Sequence, residues 1–263
     1  MNLPVEVIEA ARSGRCVIFL GSAAAREAAQ LAGQEYPDGK ELAKLLGWQR
    51  PKVMVGARPK PVVPSVSAGA EKLQAQQGRD ALVRRVRELV GCAGVAPSFA
   101  HTYAVQNFRL VITTCWDELL EQAAGPEVLR QGWGDPLPEP GASQHVIWRW
   151  RGRLSAPDTL VLTDSDRARR DYSPEFKNQI RMMLRRNVVF FVGYRPDEEE
   201  FDQLWEDLTV CYGGELPRCH LAAASGEIDD YQWQRWVWRG LLLFAADPVE
   251  CLQELQARSQ ATP

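Results

Sequence analysis

The sequence predicts an α/β fold, a parallel sheet covered by helices on both faces. The first observation is a set of short, unbroken apolar runs, of which 16–20 (CVIFL) and 188–192 (VVFFV) are the clearest. Strands with one wet face alternate polar and apolar residues, whereas strands covered on both faces do not. The second is the alternation of such runs with helix-spaced segments, the pattern of strand–helix–strand crossovers. The third is bulk composition. The chain has 263 residues, 45% hydrophobic and 25% charged, enough apolar surface for a large core without disulfide or metal staples. One domain spanning 1–263 is expected, with approximately residues 33–96 inserted as a helical cap and a proline-rich loop.

Taken in order, the run 16–20 ends at Gly21 and leads at once into an Ala- and Glu-rich helix at 22–31. Strand, small-residue turn and helix open a nucleotide-binding unit. Residues 38–46 have helical composition. Between 49 and 68, Pro51, Pro59, Pro61 and Pro64 forbid a regular element. Arg50, Lys52, Arg58 and Lys60 occur there with no acid, so the basic stretch 49–69 is either a solvated loop or a lid over a phosphate-bearing ligand. Residues 71–90 return to helical spacing, with Leu73, Leu82, Val86 and Leu89 inward. A helix at 97–106, a strand at 110–113 and a helix at 116–124 follow. Residues 130–143 are loop by their Gly and Pro content, 145–150 a strand and 159–162 another. Helix 174–184 precedes the strand 188–192. Helix 198–208, strand 219–222, helix 229–238, strand 241–244 and helix 248–257 complete the series.

Several function classes are excluded by composition. The net charge is −3, so direct nucleic-acid binding and attraction to anionic lipid are not expected. No apolar run approaches the roughly 20 residues of a membrane span. Residues 1–11 carry Glu6 and Glu9 and lack a basic start before an apolar core, unlike a signal peptide, so a cytoplasmic location is expected. The six cysteines (Cys16, Cys92, Cys115, Cys211, Cys219 and Cys251) contain no C-x-x-C pair, and there are only three histidines (His101, His145 and His220). No structural metal site is therefore expected, and the thiols are expected to be buried.

In a sheet of this kind ligands bind beyond the carboxyl ends of the strands. The positions that matter are 21–25, 113–117, 151–152, 163–164 and 193–194. The turn Gly21-Ser22-Ala23 offers backbone N–H groups to a phosphate, with a tight packing turn as the alternative reading.

Read together, these segments resemble a family. They are 19–28 (FLGSAAAREA), 97–101, 111–121 (VITTCWDELLE), Trp150-Arg151-Gly152, 160–163 and 190–194 (FFVGY). The set is similar to the zinc-free bacterial sirtuin-like domain of NAD-depleting antiviral defence proteins, over about residues 16–255. The resemblance implies a Rossmann-like sheet with a helical cap and a ligand that is NAD or an ADP-ribose derivative. It carries cofactor-binding roles onto Gly21, Ser22, Ala23, Arg26, Thr113, Thr114, Asp117, Gly193 and Tyr194. It carries catalytic positions onto Cys115, Asp117 and Arg151.

The departures matter as much as the matches. The family turn reads Gly-Ala-Gly-x-Ser; here its second glycine is Ala23 and its serine Ala25. The family's catalytic Asn is Cys115, and its catalytic His is Arg151. A thiol donates and accepts hydrogen bonds only weakly, and a guanidinium neither deprotonates nor accepts. His145 lies six residues upstream of Arg151 on the same strand, roughly 20 Å away, and does not substitute. His101 is read as a structural or capping residue. Asp117 is either a ribose ligand, with Thr113, Thr114 and Tyr194, or a carboxylate favoured at a helix N-terminus.

A catalytically degenerate domain is therefore expected. It would keep an NAD or ADP-ribose-type cleft for ligand sensing, or act as a scaffold in a bacterial defence or signalling assembly. The alternatives are an active NAD glycohydrolase and a pure protein-interaction module with a closed cleft. A nucleotide-type ligand and a protein partner or homo-oligomer are the expected associations. Trp233, Trp236 and Trp238 beside Arg235 and Arg239 either pack on the sheet or form a partner patch. Arg167, Arg169 and Arg170 read as a solvated helix end, and 197–200 as an acidic first turn explained by the helix dipole.

Overall fold

The apolar runs become the strands of one all-parallel sheet, and their side chains sort to two faces with the two-residue period of a strand. A computed structural model describes residues 3–50, 64–126, 128–132, 135–137, 145–223 and 229–260. Seven strands pair in the order β3-β4-β2-β1-β5-β6-β7. They are β1 (Cys16–Leu20), β2 (Leu110–Thr113), β3 (Leu129–Gly132), β4 (Val146–Arg149), β5 (Val188–Val192), β6 (Cys219–Ala223) and β7 (Leu241–Ala245). Every neighbouring pair is parallel; β1 aligns Leu20 with Thr113 on one side and with Val192 on the other.

One face carries Val17, Phe19, Ile112, Trp148, Phe191 and Leu221. The helices α9 (Pro174–Arg186), α10 (Glu199–Tyr212) and α11 (Asp230–Trp238) cover it. Its centre is aromatic: Phe201 lies 5.2 Å from Phe191 and 4.8 Å from Trp236, and Trp148 stacks on Phe176 at 5.6 Å. Burying each such ring stabilises the fold by about 1.5–3 kcal/mol. The other face carries Cys16, Ile18, Leu20, Val111, Ile147, Phe190 and Val192, under α1 (Val5–Arg12), α6 (Phe99–Asn107) and α12 (Pro248–Gln260). The helix α2 (Ser22–Leu31) leaves β1 directly. The inserted helices α3 (Gly39–Leu45), α4 (Val66–Gln77) and α5 (Arg79–Val90) form a third apolar cluster. There Leu42, Ala70, Leu82 and Val86 pack against Trp116, Leu154 and Leu160. Two short helices, α7 (Leu119–Ala124) and α8 (Asp164–Ala168), complete the set among the described residues.

The chain belongs to the predicted α/β class, and the differences are local. The single helix expected over 71–90 is two, broken at Gly78, whose φ of +86° is a left-handed turn that glycine adopts readily. The strand expected at 159–162 does not form; a 3-10 turn at Pro157–Thr159 takes its place. The loop expected at 130–143 begins instead as the edge strand β3, whose polar sequence LRQG hid it. Within 49–69, α4 already starts at Val66, capped by Ser65, and 51–63 lie outside the described residues. The helix α1 was not anticipated. Among the described residues no helix is long and apolar enough to cross a membrane.

Candidate functional site

The strand order reverses at β1, with β2 to one side and β5 to the other, and the site is built beyond the carboxyl ends of these strands. The turn after β1 is held hard against the turn after β5. Gly21 N–H donates to Val192 O at 2.9 Å, and Ala23 N–H donates to Gly193 O at 3.0 Å. A Cβ at Gly21 would sit 2.6 Å from Gly193 O, so glycine is required by close approach. One N–H that the sequence offered to a phosphate is therefore already taken by a backbone carbonyl. Ala25 is fully buried against Ala28, Cys92 and Leu119.

The segment after β2 knots itself to its neighbours. Thr113 Oγ1 donates to Leu20 O at 2.7 Å and accepts from Cys115 N–H at 3.1 Å. Thr114 Oγ1 donates to Glu200 Oε1 and lies 3.1 Å from the Tyr194 hydroxyl, which in turn lies 3.4 Å from Leu20 O. Cys115 is buried, and burial, with Asp117 and Glu200 nearby, raises its pKa far above the usual thiol range. Such a shift favours the thiol over the thiolate, which is the nucleophilic form. Asp117 is 2% exposed; Oδ1 accepts from Leu119 N–H at 3.0 Å, while Oδ2 has no hydrogen-bond partner. Burial raises its pKa, partly offset by Arg149. Arg149 is itself buried, paired with Glu121 through two hydrogen bonds and donating to Cys115 O at 2.7 Å.

After β4, Arg151 turns toward α10. Its Nη2 donates to Gln203 Oε1 at 2.8 Å and approaches Glu200 O at 3.4 Å. Gln203 Nε2 passes the contact on to Ser67 of the cap at 3.0 Å.

The run 197–200 is the part of the site that the helix-dipole reading missed. Asp197 and Glu198, just before α10, both reach α3, Glu199 reaches the start of α4, and Glu200 reaches the segment after β2. Asp197 pairs with Lys40 at 2.6 Å. Glu198 accepts from Gly39 N–H at 3.3 Å and sits 3.2 Å from Arg195 Nε. Glu199 accepts from Ser65 Oγ at 2.7 Å and Val66 N–H at 2.6 Å, which caps α4. Glu200 takes Thr114. The carboxylates thus strap the cap onto the sheet. The signal was available in principle, since these residues follow β5 at the ligand-binding edge.

The cavity between cap and sheet measures about 50 Å³. That is room for a few waters, where sites for drug-sized ligands enclose about 300–1,000 Å³. Tyr36, Trp116, Glu198 and Glu200 line it, together with four residues expected from the sequence: Ser22, Thr114, Cys115 and Arg151. Gly21, Ala23, Thr113, Asp117, Gly193 and Tyr194 stand behind this wall. Arg26 is also off the wall; its Nε and Nη2 are buried without a hydrogen bond, and its charge lowers the pKa of Glu198.

Burial, with Glu200 nearby, raises the Glu198 carboxyl from an ordinary 4.5 to about 7. The folded chain then holds this proton more tightly than the unfolded chain. Its contribution to stability is full below about pH 4.5 and is lost as pH rises through about 7. Thermal melts of Glu198→Gln are expected to gain on the wild type as pH rises across that window. A constant difference would mean that Glu198 titrates normally.

His101 caps α6: its Nδ1 accepts from Ser98 N–H at 3.2 Å, and burial lowers its pKa to about 4. His145 is tied to Val105 O at 2.9 Å, away from the cavity. Thr163 follows no strand; it caps α8. The arginines at 167–170 do mark the end of α8, and Arg169 is solvated there, but Arg167 and Arg170 are bound inward. Arg167 binds Asp207 and Glu206, and Arg170 donates to Trp150 O. Trp236 is buried under the guanidiniums of Arg235 and Arg239, whereas Trp238 is 80% exposed. Among the described residues no group of three or more His, Cys, Asp or Glu is placed to hold a metal ion.

A family model described as a SIR2-like domain matches residues 109–240, half of the chain, including β2, β4, β5 and the acidic run. No curated protein matches the chain.

Proposed function

Because the chain belongs to the SIR2-like domain family, whose function is NAD-related, we propose that it is a catalytically degenerate member. It serves as a ligand-sensing or scaffolding part of a bacterial defence or signalling assembly. The observation that carries this reading is the guanidinium of Arg151, bound to Gln203, at the position to which the sequence resemblance assigns the family's base. Arginine has no acceptor and keeps its proton at any relevant pH. Breaking the bond between nicotinamide and ribose passes through an oxocarbenium-like state, which a fixed cation beside it disfavours. The buried Cys115 thiol and the small cavity support the same reading. Residues Tyr231, Val237, Trp238 and Leu242, all exposed around α11 and the edge strand β7, support a protein partner or a second copy.

The test is native mass spectrometry of the protein incubated with NAD. Intact NAD on the protein and no released nicotinamide are expected. Bound ADP-ribose with free nicotinamide would overturn the reading; no bound species would leave the scaffold role alone standing.

One observation favours the alternative of an active glycohydrolase. Glu198, with a carboxyl near 7, lies on the cavity wall and is suited to accept a proton. If nicotinamide is released, its loss in Glu198→Gln or Asp117→Asn would identify the base.

A further inference from the structure

A second concavity lies outside the cleft, between α5 of the cap and the segment 157–170 that follows β4. It measures about 840 Å³. Arginines dominate its lining: Arg79, Arg84 and Arg87 from α5, and Arg169 and Arg170 from the opposite segment. Three acids, Asp80, Asp158 and Asp166, share it, so five cations face three anions, a local excess of two positive charges on a chain whose net charge is −3. Val83, Leu160 and Val161 supply apolar floor.

The cations are held in place, and Arg79 and Arg169 share one acid, Asp166, at 2.7 and 3.0 Å, so their charge is only partly cancelled. Arg79 donates to Leu160 O at 2.8 Å and pairs with Asp166 at 2.7 Å. Arg87 uses one nitrogen on Leu154 O at 2.8 Å, and Arg169 donates through Nε to Ser165 O at 3.0 Å. Backbone carbonyls leave the charge of Arg87 uncancelled and orient its remaining donors. Asp166 is committed: it accepts from Leu162 N–H and Thr163 N–H besides its arginines, and these contacts outweigh burial to lower its pKa. Arg84 is exposed and has no hydrogen bond or ion pair among the described residues.

We infer that this groove is a binding site for a multiply charged phosphate ligand of nucleotide size, separate from the central cleft. Guanidinium forks match phosphate oxygens two at a time, and several converging from two walls recognise a chain of phosphates. The apolar floor suits a base or other flat group, and the volume falls in the range of small-molecule sites. The groove joins cap to sheet, so an occupant would bear on the same contacts that close the cleft.

The experiment is isothermal titration of the full chain with tripolyphosphate and with ATP, at low and high salt. Saturable binding that weakens with salt is expected, with ATP tighter than tripolyphosphate. Arg84→Glu and Arg169→Glu are each expected to weaken it at least tenfold without changing Tm. Arg85→Glu, on the same helix but outside the groove, is expected to bind as the wild type does. No binding at millimolar ligand, or equal binding by the Arg84 and Arg169 variants, would overturn the assignment. So would a short single-stranded oligonucleotide that binds far tighter than ATP and displaces it, since the ligand would then be a polymer. NAD binding by the same variants is read separately and is expected to be unchanged, so a failure here leaves the reading of the cleft untouched.

Discussion

Glu121→Ala is expected to cost about 3–5 kcal/mol of folding stability, because it leaves Arg149 charged and unpaired in the core. Arg149 is 2% exposed and Glu121 about 9% in their side chains. Burial alone would lower the pKa of the guanidinium; the attraction of Glu121 more than reverses this. Once the partner is gone, one donor still reaches Cys115 O and the nearby Asp117 still attracts the guanidinium, but no carboxylate is hydrogen-bonded to the desolvated charge. A fall in Tm of roughly 10 °C follows for a chain of this size. The double replacement Glu121→Leu with Arg149→Met is expected to recover most of the loss, since apolar residues of similar volume often replace a buried pair at little cost. A single variant that melts with the wild type would mean that water reaches the pair.

Gly152→Ala is expected to be comparably damaging, by about 3–5 kcal/mol, for two reasons that add. Gly152 has a φ of +77°, and a Cβ there would lie 2.2 Å from Thr159 O and 2.4 Å from Thr159 C. The left-handed conformation costs an L side chain about 1–2 kcal/mol, and overlap in a packed region about 1–3 kcal/mol or more. The clash is with backbone that is itself tethered, since Val161 N–H donates to Arg151 O at 3.0 Å. Relief therefore has to move 157–162, which carries Leu160 and Leu162 into the cap cluster. Gly33→Ala is the control: its φ is +70° with nothing within 4 Å, so only the conformational cost of about 1 kcal/mol is expected. Equal losses in the two variants, by chemical denaturation, would refute the steric argument.

The strands were legible because burial on both faces forces unbroken apolar runs, as in β1 and β5. β3 was not, because an edge strand with exposed residues carries no such run. The break at Gly78 was hidden by helical composition on both sides of it. Within the site, the sequence located the residues after each strand but not their partners. Arg151 finds Gln203 across 52 residues, and Thr114 finds Glu200 across 86. The acids 197–200 looked fully explained by their place at the start of α10. Their separate destinations in the cap and at Thr114 exist only once the chain is folded. The family resemblance drew attention to Cys115 and Arg151, and only the packing around them shows a buried thiol and a cation turned to a helix.

The bond from Ala23 N–H to Gly193 O makes the chain its own competitor. A phosphate oxygen arriving at the start of α2 meets a donor already satisfied by an oxygen of the protein, so it exchanges one hydrogen bond for another. If the internal bond is worth about 1 kcal/mol, it withholds the donor enough to weaken any such ligand roughly fivefold. The handicap disappears whenever the turn after β5 withdraws. For an anion that reached this donor, the position of that one turn would set the strength of binding, with no change in the residues that line the cavity.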